Sequence, residues 1–316
     1  MITISCCMIV KNEEKVLARC LDSIADLMDE IVIVDTGSTD GTKAVAARYT
    51  DKIYDFEWNG SFADARNYSF SKATAQYIYC ADADEVLDRV NHDKFALLKK
   101  GLLPEIDIVQ MYYCNQMEFN TIYNFDRELR PKLYKRVRTF TWYNPIHETV
   151  GLQPTIYDSE IEIIHKPTGF HASRDLEAFE KMYADGLYMD NRLHTLYAKE
   201  LLIAGEKSNL HKAIPYFEKS LTDENRTTDS LMESYVILAR AYRSKNDVTK
   251  FFKYAMRAVT LDGDGCAEIC LELASFYHSI RDFDEERIWA NAALSLPCVL
   301  NIETTENAKK MLAALG

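Results

Sequence analysis

Apolar positions in the first part of the chain fall in short unbroken runs, separated by stretches with helical periodicity. Ile4 to Val10 is free of charge, the mark of a strand covered on both faces. A helix is expected from about Glu13, because Val16, Leu17, Cys20, Leu21, Ile24 and Leu27 lie along one stripe. Ile31 to Asp35 reads as the second strand, Thr36 to Gly41 as a tight loop, and a helix should follow to about Tyr49. Lys52 to Asp55 makes a short third strand, Phe62 to about Ala73 a helix, and Tyr77 to Ala81 the fourth strand. This alternation predicts an α/β fold built on a Rossmann-like, mostly parallel sheet. From Ile106 to about His165 the pattern turns to strands and irregular loops, clearest at Ile106 to Tyr113, Arg130 to Tyr134 and Glu160 to Ile164.

After about Leu176 helical periodicity takes over, so the expected domains are residues 1–175 and 176–316. Similar stretches begin at Leu210, Val248 and Phe283, a recurrence of roughly 35 residues. Ala239-Arg240-Ala241-Tyr242 and Ala274-Ser275-Phe276-Tyr277 precede the second and third, and Pro297 follows the last. The spacing and the small residues resemble tetratricopeptide helix pairs, with an ordinary helical bundle as the plainer alternative. Either way the second domain is all-α.

Composition narrows the partners. A formal net charge of -12 argues against nucleic acid and anionic membranes, both of which attract a basic face. No apolar run approaches the roughly 18 to 20 residues that span a bilayer, so no integral membrane segment is expected. The apolar N-terminus lacks a preceding basic segment and a small-residue cleavage site, and reads as a strand, not a signal peptide. The 8 cysteines lack zinc or redox spacing; Cys6 and Cys7 point to opposite faces of a strand, and Cys266 and Cys270 are a helical turn apart. Reduced core cysteines and a cytoplasmic protein are the expectation.

The chemistry centres on Asp82-Ala83-Asp84-Glu85, directly behind the fourth strand. Carboxylates at the carboxyl end of a parallel strand sit where open α/β sheets bind ligands. Hard oxygen donors there suit Mg2+ or Mn2+, and such a cation suits a pyrophosphate. Asp35 ends the second strand toward the same crevice and can accept a hydrogen bond from a nucleobase or ribose. Val34-Asp35-Thr36-Gly37-Ser38 also matches the turn of aspartic proteases, but that chemistry needs two such aspartates and the chain has no second copy. Asp40 reads as a helix N-cap. Arg66, near the start of its helix, is suited to phosphates, or else to pairing with Asp64 or Glu57.

Four segments occur in order: Val10-Lys11-Asn12-Glu13-Glu14, Val34 to Thr42, Phe62-Ala63-Asp64-Ala65-Arg66-Asn67, and Ala81-Asp82-Ala83-Asp84-Glu85. Together they resemble the nucleotide-sugar half of family-2 glycosyltransferases of the GT-A fold. Tyr143 to Glu148 and Ile163 to Phe170 are similar to later elements of a bacterial subgroup in which a tetratricopeptide-like region follows the transferase. That subgroup includes the sublancin-type S-glycosyltransferases, which modify a cysteine or serine of a bacteriocin precursor.

The resemblance implies an inverting, divalent-metal-dependent transferase that moves a hexose from a nucleotide-sugar, a UDP-sugar, to a peptide, protein or glycan acceptor. It implies that Asp35 and the backbone from Val10 to Asn12 hold the uridine, with Glu13 nearby. Asp82 would touch ribose or a metal-bound water, and Asp84 would ligate the cation, with His165 as a candidate third ligand. Arg66 would face the diphosphate. Glu148 is the expected base, with His147 assisting it or binding diphosphate, since the Glu-Asp pair of many family-2 enzymes is missing after Asp84. Trp142 and Tyr143 are candidates for stacking on a sugar or for plain aromatic packing. The helical domain is expected to bind the acceptor or form a homodimer. Competing readings are a transferase for a cell-surface glycan or lipid-linked acceptor, a nucleotidyltransferase, and a non-catalytic repeat scaffold with a vestigial transferase domain. The intact carboxylates speak against the last, and the absence of a Gly-rich loop after strand one against the nucleotidyltransferase.

Overall fold

The computed structural model describes residues 1–115, 127–138, 141–150, 154–166, 172–261 and 265–315. The chain divides into two compact units, Met1–Phe170 and His171–Gly316. The later motif's residues 167–170 lie outside the described residues.

The first unit runs β1 (Ile4–Val10), α1 (Leu17–Asp22), β2 (Glu30–Asp35), α2 (Thr42–Ala46), β3 (Ile53–Asp55), α3 (Phe62–Lys72), β4 (Tyr77–Cys80), β5 (Glu85–Val86) and α4 (Arg89–Gly101). It continues through β6 (Ile108–Asn115), β7 (Arg127–Lys135), β8 (Trp142–Tyr143), β9 (Thr149–Val150) and β10 (Ile156–His165). One sheet takes the order β3-β2-β1-β4-β7-β6-β10-β5, while β8 and β9 pair separately. β1 pairs in parallel with β2 and β4, and β2 with β3. β7 enters antiparallel between β4 and β6, and β5 closes the far edge antiparallel to β10. The sheet is therefore mixed and mostly parallel, as in GT-A folds.

Strand alternation sorts the core into two layers. Cys6, Met8, Tyr77 and Tyr79 face one cluster with Leu17, Leu21 and Phe95, while Cys7, Ile78 and Cys80 face another with Phe70, Tyr134 and Trp142. The expected stripe from Val16 to Leu27 is buried, but α1 starts four residues later than the periodicity suggested. Asn12 is left-handed at φ 57°. The amides of Asn12, Glu13 and Glu14 donate to Ser38 Oγ, Thr42 Oγ1 and Asp40 Oδ2, which ties this segment to the chain after β2. Glu13 O already accepts from the Leu17 amide at 2.9 Å, so helical bonding opens at Glu13, ahead of the regular helix. α2 starts at Thr42 but ends at Ala46, short of Tyr49, where the Arg48 and Tyr49 amides turn to Val45 O and Ala46 O. Asp40 Oδ1 accepts from the Thr42 amide at 3.0 Å, one residue ahead of Gly41 at the helix N-cap.

The second unit is all-α: α5 (Ala172–Ala184), α6 (Asn191–Ala204), α7 (Lys207–Ser220), α8 (Thr228–Ser244), α9 (Val248–Leu261), α10 (Ala267–Ser279), α11 (Phe283–Ser295) and α12 (Glu303–Ala314). The similar stretches fall in α7, α9 and α11, and the small-residue segments before them in α8 and α10. Ala239, Ala241, Ala255, Ala258, Ala274 and Ala290 are buried, which lets neighbouring helices approach closely. Among the described residues no helix is long and apolar enough to cross a membrane.

Candidate active site

The carboxylate turn joins β4 to β5, at the end of the parallel half of the sheet. Arg66 reaches it from α3, a helix whose N-terminus is capped by Ser61 accepting from the Asp64 amide. Its guanidinium is ion-paired to Glu148, lies 3.2 Å from Asp82 Oδ1, and donates to the Cys80 sulfur. It also stands over the Trp142 ring at 5.3 Å, a cation–π contact. Only 12% of the Arg66 and Glu148 side chains is exposed, against 40% for Asp82, so Asp82 is the member of the trio open to a ligand.

The segment bearing Glu148 is fastened to α3. Asn67 and the Trp142 backbone exchange hydrogen bonds of 3.0 and 2.8 Å, and the Phe62 amide donates to Pro145 O at 2.8 Å. Asn144 and His147 adopt left-handed backbone at φ 71° and 46°, which turns the chain so that Glu148 meets Arg66. Trp142 is buried against Phe70 and Tyr134, so it packs the core, whereas Tyr143 is exposed.

On the other side of the turn, Asp84 Oδ2 lies 3.0 Å from His165 Nε2. The sheet builds this pair: Glu85 of β5 is opposite His165 of β10, and the Lys166 amide donates to Asp84 O at 2.8 Å. The Tyr113 ring rests 5.0 Å from the imidazole. The Asp84 carboxylate suits Mn2+ or Mg2+, and the imidazole beside it suits the transition metal Mn2+ better than Mg2+. Among the described residues no group of three His, Cys, Asp or Glu side chains has a metal-holding arrangement. Asp82 instead faces cations, with Lys132 Nζ 3.8 Å from its other oxygen. Burial opposes its ionisation, but Arg66 and Lys132 outweigh that and hold its carboxyl well below the usual range. Burial likewise pushes the Cys80 thiol up to about 11, against the pull of Arg66.

At the β1–β2 end, Asp35 is buried and its Oδ1 accepts from the Gly37 and Ser38 amides at 2.9 and 2.8 Å, while Oδ2 has no hydrogen-bond partner among the described residues. Val10 O already accepts from the Thr36 amide, and Asn12 Oδ1 from the Thr39 amide at 2.8 Å. Val10 and Asn12 therefore shape the loop beside Asp35, and Glu13 anchors it through its amide. Arg66 pairs with neither Asp64 nor Glu57. Lys132 is a residue the sequence does not mark: it forms a buried ion pair beneath the turn with Glu85, the last residue of the carboxylate motif. The lysine sits in a strand with no motif of its own, and only the tertiary pairing of β7 with β4 brings it there.

Residues 5–153 match the model for Glycosyl transferase family 2, and residues 233–264 that for a tetratricopeptide repeat. The chain thus carries a family-2 glycosyltransferase domain followed by tetratricopeptide-type helices. It is 25% identical to the SPbeta prophage-derived glycosyltransferase SunS of Bacillus subtilis, over 80% of this chain and 61% of that protein. A TPR repeat-containing protein of Synechococcus elongatus is 42% identical over 28% of this chain and 22% of its own length. The chain thus spans less than two thirds of either relative. Among solved structures, glucosyl-3-phosphoglycerate synthase from Mycobacterium tuberculosis, in complex with Mn2+ and UDP-glucose, superimposes with a TM-score of 0.43 at 13% identity, over 60% of this chain and 80% of that one.

Proposed function

We propose that this chain transfers a hexose from a nucleotide-sugar, a UDP-sugar, to an acceptor with inversion at the anomeric carbon, assisted by Mn2+ or Mg2+. The observation that carries this reading is the Arg66 guanidinium, held between Asp82 of the carboxylate turn and Glu148 of the facing segment. The unpartnered Asp35 oxygen would accept a hydrogen bond from the nucleoside. Asp84 and His165 would hold the cation, which when bound offsets charge on the diphosphate. Arg66 does the same work from the other side, where negative charge grows as the bond from anomeric carbon to phosphate oxygen breaks. Arriving diphosphate competes with Glu148 for Arg66 and frees that carboxylate. Glu148 then takes the proton from the acceptor hydroxyl or thiol as the new bond to the anomeric carbon forms. His147, one residue before it, would assist.

The favoured acceptor is a peptide Cys or Ser side chain, in line with the subgroup resemblance. A thiol asks little of a base, since it ionises near a pH of about 8.5 in water. The helical unit would engage the peptide or a second copy of the chain, and eight free cysteines suit a reducing cytoplasm. The test is to incubate the full chain with a panel of nucleotide-sugars, with and without Mn2+, and to read donor turnover and acceptor mass. Cation-dependent turnover of a UDP-sugar is expected; none with any donor would overturn the proposal.

A further inference from the structure

We propose that Lys132 is a positioning residue of this site, a staple that holds the carboxylate turn of residues 81–84 at both ends; the functional part of this inference rests on the transferase reading above. Lys132 lies on β7, the antiparallel strand inserted between β4 and β6. Its side chain is 7% exposed, an unusual place for an ammonium group. The Nζ donates to Cys80 O at 3.3 Å, the last residue of β4, and is ion-paired to Glu85, the first residue of β5. Between those anchors it lies 3.8 Å from Asp82 Oδ2. One ammonium therefore touches the residue before the turn, the residue after it, and the exposed carboxylate within it.

The staple has a consequence on each side of the turn. Toward Arg66 it holds a second cation against Asp82, 3.8 Å from the oxygen that Arg66 leaves free. Toward His165 it fixes Glu85, whose backbone is in register with His165 and so sets Asp84 against the imidazole. A buried ammonium must place three N–H donors, and here the acceptors that satisfy it stand at opposite ends of the turn, so satisfying the lysine also ties those ends together.

The experiment compares Lys132→Met, Lys132→Arg and the double variant Lys132→Met/Glu85→Gln with the unaltered full chain. The double variant removes both buried charges, so its melting temperature should return toward that of the parent. Hydrogen exchange of amides 81–85 needs no nucleotide and reads the staple directly. Exchange faster by about tenfold or more in the double variant, with β4 unchanged, supports it; parental exchange there overturns it. Calorimetry with UDP and Mn2+ then reads the effect on the site. Binding weakened by about tenfold or more in the double variant, and partly restored in Lys132→Arg, supports positioning. Parental binding in the double variant reduces Lys132 to a charge partner of Glu85 and overturns it. If the unaltered chain takes up no UDP with Mn2+, the transferase reading falls, and hydrogen exchange alone decides the staple.

Discussion

Arg66 and Glu148 are joined in an ion pair at the rim of the sheet, and the same guanidinium stands 3.2 Å from Asp82. The two carboxylates come from segments 66 residues apart in sequence, and the arginine is what brings them to one place. Its planar fork is needed for this, because two oxygens on different residues and the Trp142 face are met at once. Arg66→Lys keeps the charge and loses the fork. It should lower kcat/KM by about a hundredfold, since charge on the leaving diphosphate would then be met by a single point contact. Steady-state kinetics on the UDP-sugar that the donor panel turns over checks this; an unchanged value removes Arg66 from the chemistry.

The pairing of Asp84 with His165 makes a separate prediction. UDP and Mn2+ together should raise the melting temperature, and neither alone should do so fully, because Asp84 and His165 would hold a cation that offsets the diphosphate charge. At ligand about 100 times the dissociation constant the gain is about 2.7 kcal/mol. Asp84→Asn or chelation with EDTA should abolish the cation-dependent part. His165→Ala should reduce it while leaving the shift from UDP alone. A full cation response in Asp84→Asn would place the metal elsewhere.

Much of this arrangement was legible in the sequence. The unbroken runs of β1, β2 and β4 mark strands covered on both faces, and the carboxylates behind them fall where parallel strands end. What stayed hidden depends on contacts between distant segments. Nothing near Lys132 in sequence marks it, because its partners Cys80 and Glu85 lie across the β4–β7 ladder. The tie between residues 12–14 and the chain after β2 was concealed for a similar reason. Periodicity reports the buried stripe, but not that Ser38, Asp40 and Thr42 side chains take the amides of residues 12–14. Glu148 was nameable, yet its pairing with Arg66 follows from Asn67 tying β8 to α3.

In the helical unit, Phe251 of α9 is fully buried and stacks on Phe276 of α10, with ring centres 5.1 Å apart. This contact joins one helix pair to the next, so it carries the packing that repeats need from their neighbours. Phe251→Ala should cost about 3 to 5 kcal/mol, the usual penalty for emptying a buried aromatic site. Denaturant unfolding followed by far-ultraviolet circular dichroism measures it. A loss below about 1 kcal/mol would show that the two pairs do not depend on this stack.

The same unit buries a histidine beside a glutamate, and their titrations oppose each other. His194 is wholly buried with Nδ1 2.9 Å from Tyr216 OH, and burial, aided by Arg226, lowers its pKa from 6.5 to about 3. Glu233, 3.9 Å from the imidazole and bonded to Thr195, is pushed by burial from 4.5 to about 7. The histidine's folded value is depressed, so the native state refuses a proton that the unfolded chain binds, and stability falls as pH drops from 6.5 toward 3. The glutamate's folded value is raised, so its contribution is full below 4.5 and is lost as pH rises toward 7. Between 4.5 and 6.5 the two slopes cancel. Glu233→Gln removes one of them, and its stability relative to the parent should then rise with pH across that window, by about 1.4 kcal/mol per unit at most. His194→Gln should tilt the other way. Denaturant titrations of the full chain at several pH values decide the matter: parallel curves for parent and Glu233→Gln would mean that this glutamate stays ionised in the fold.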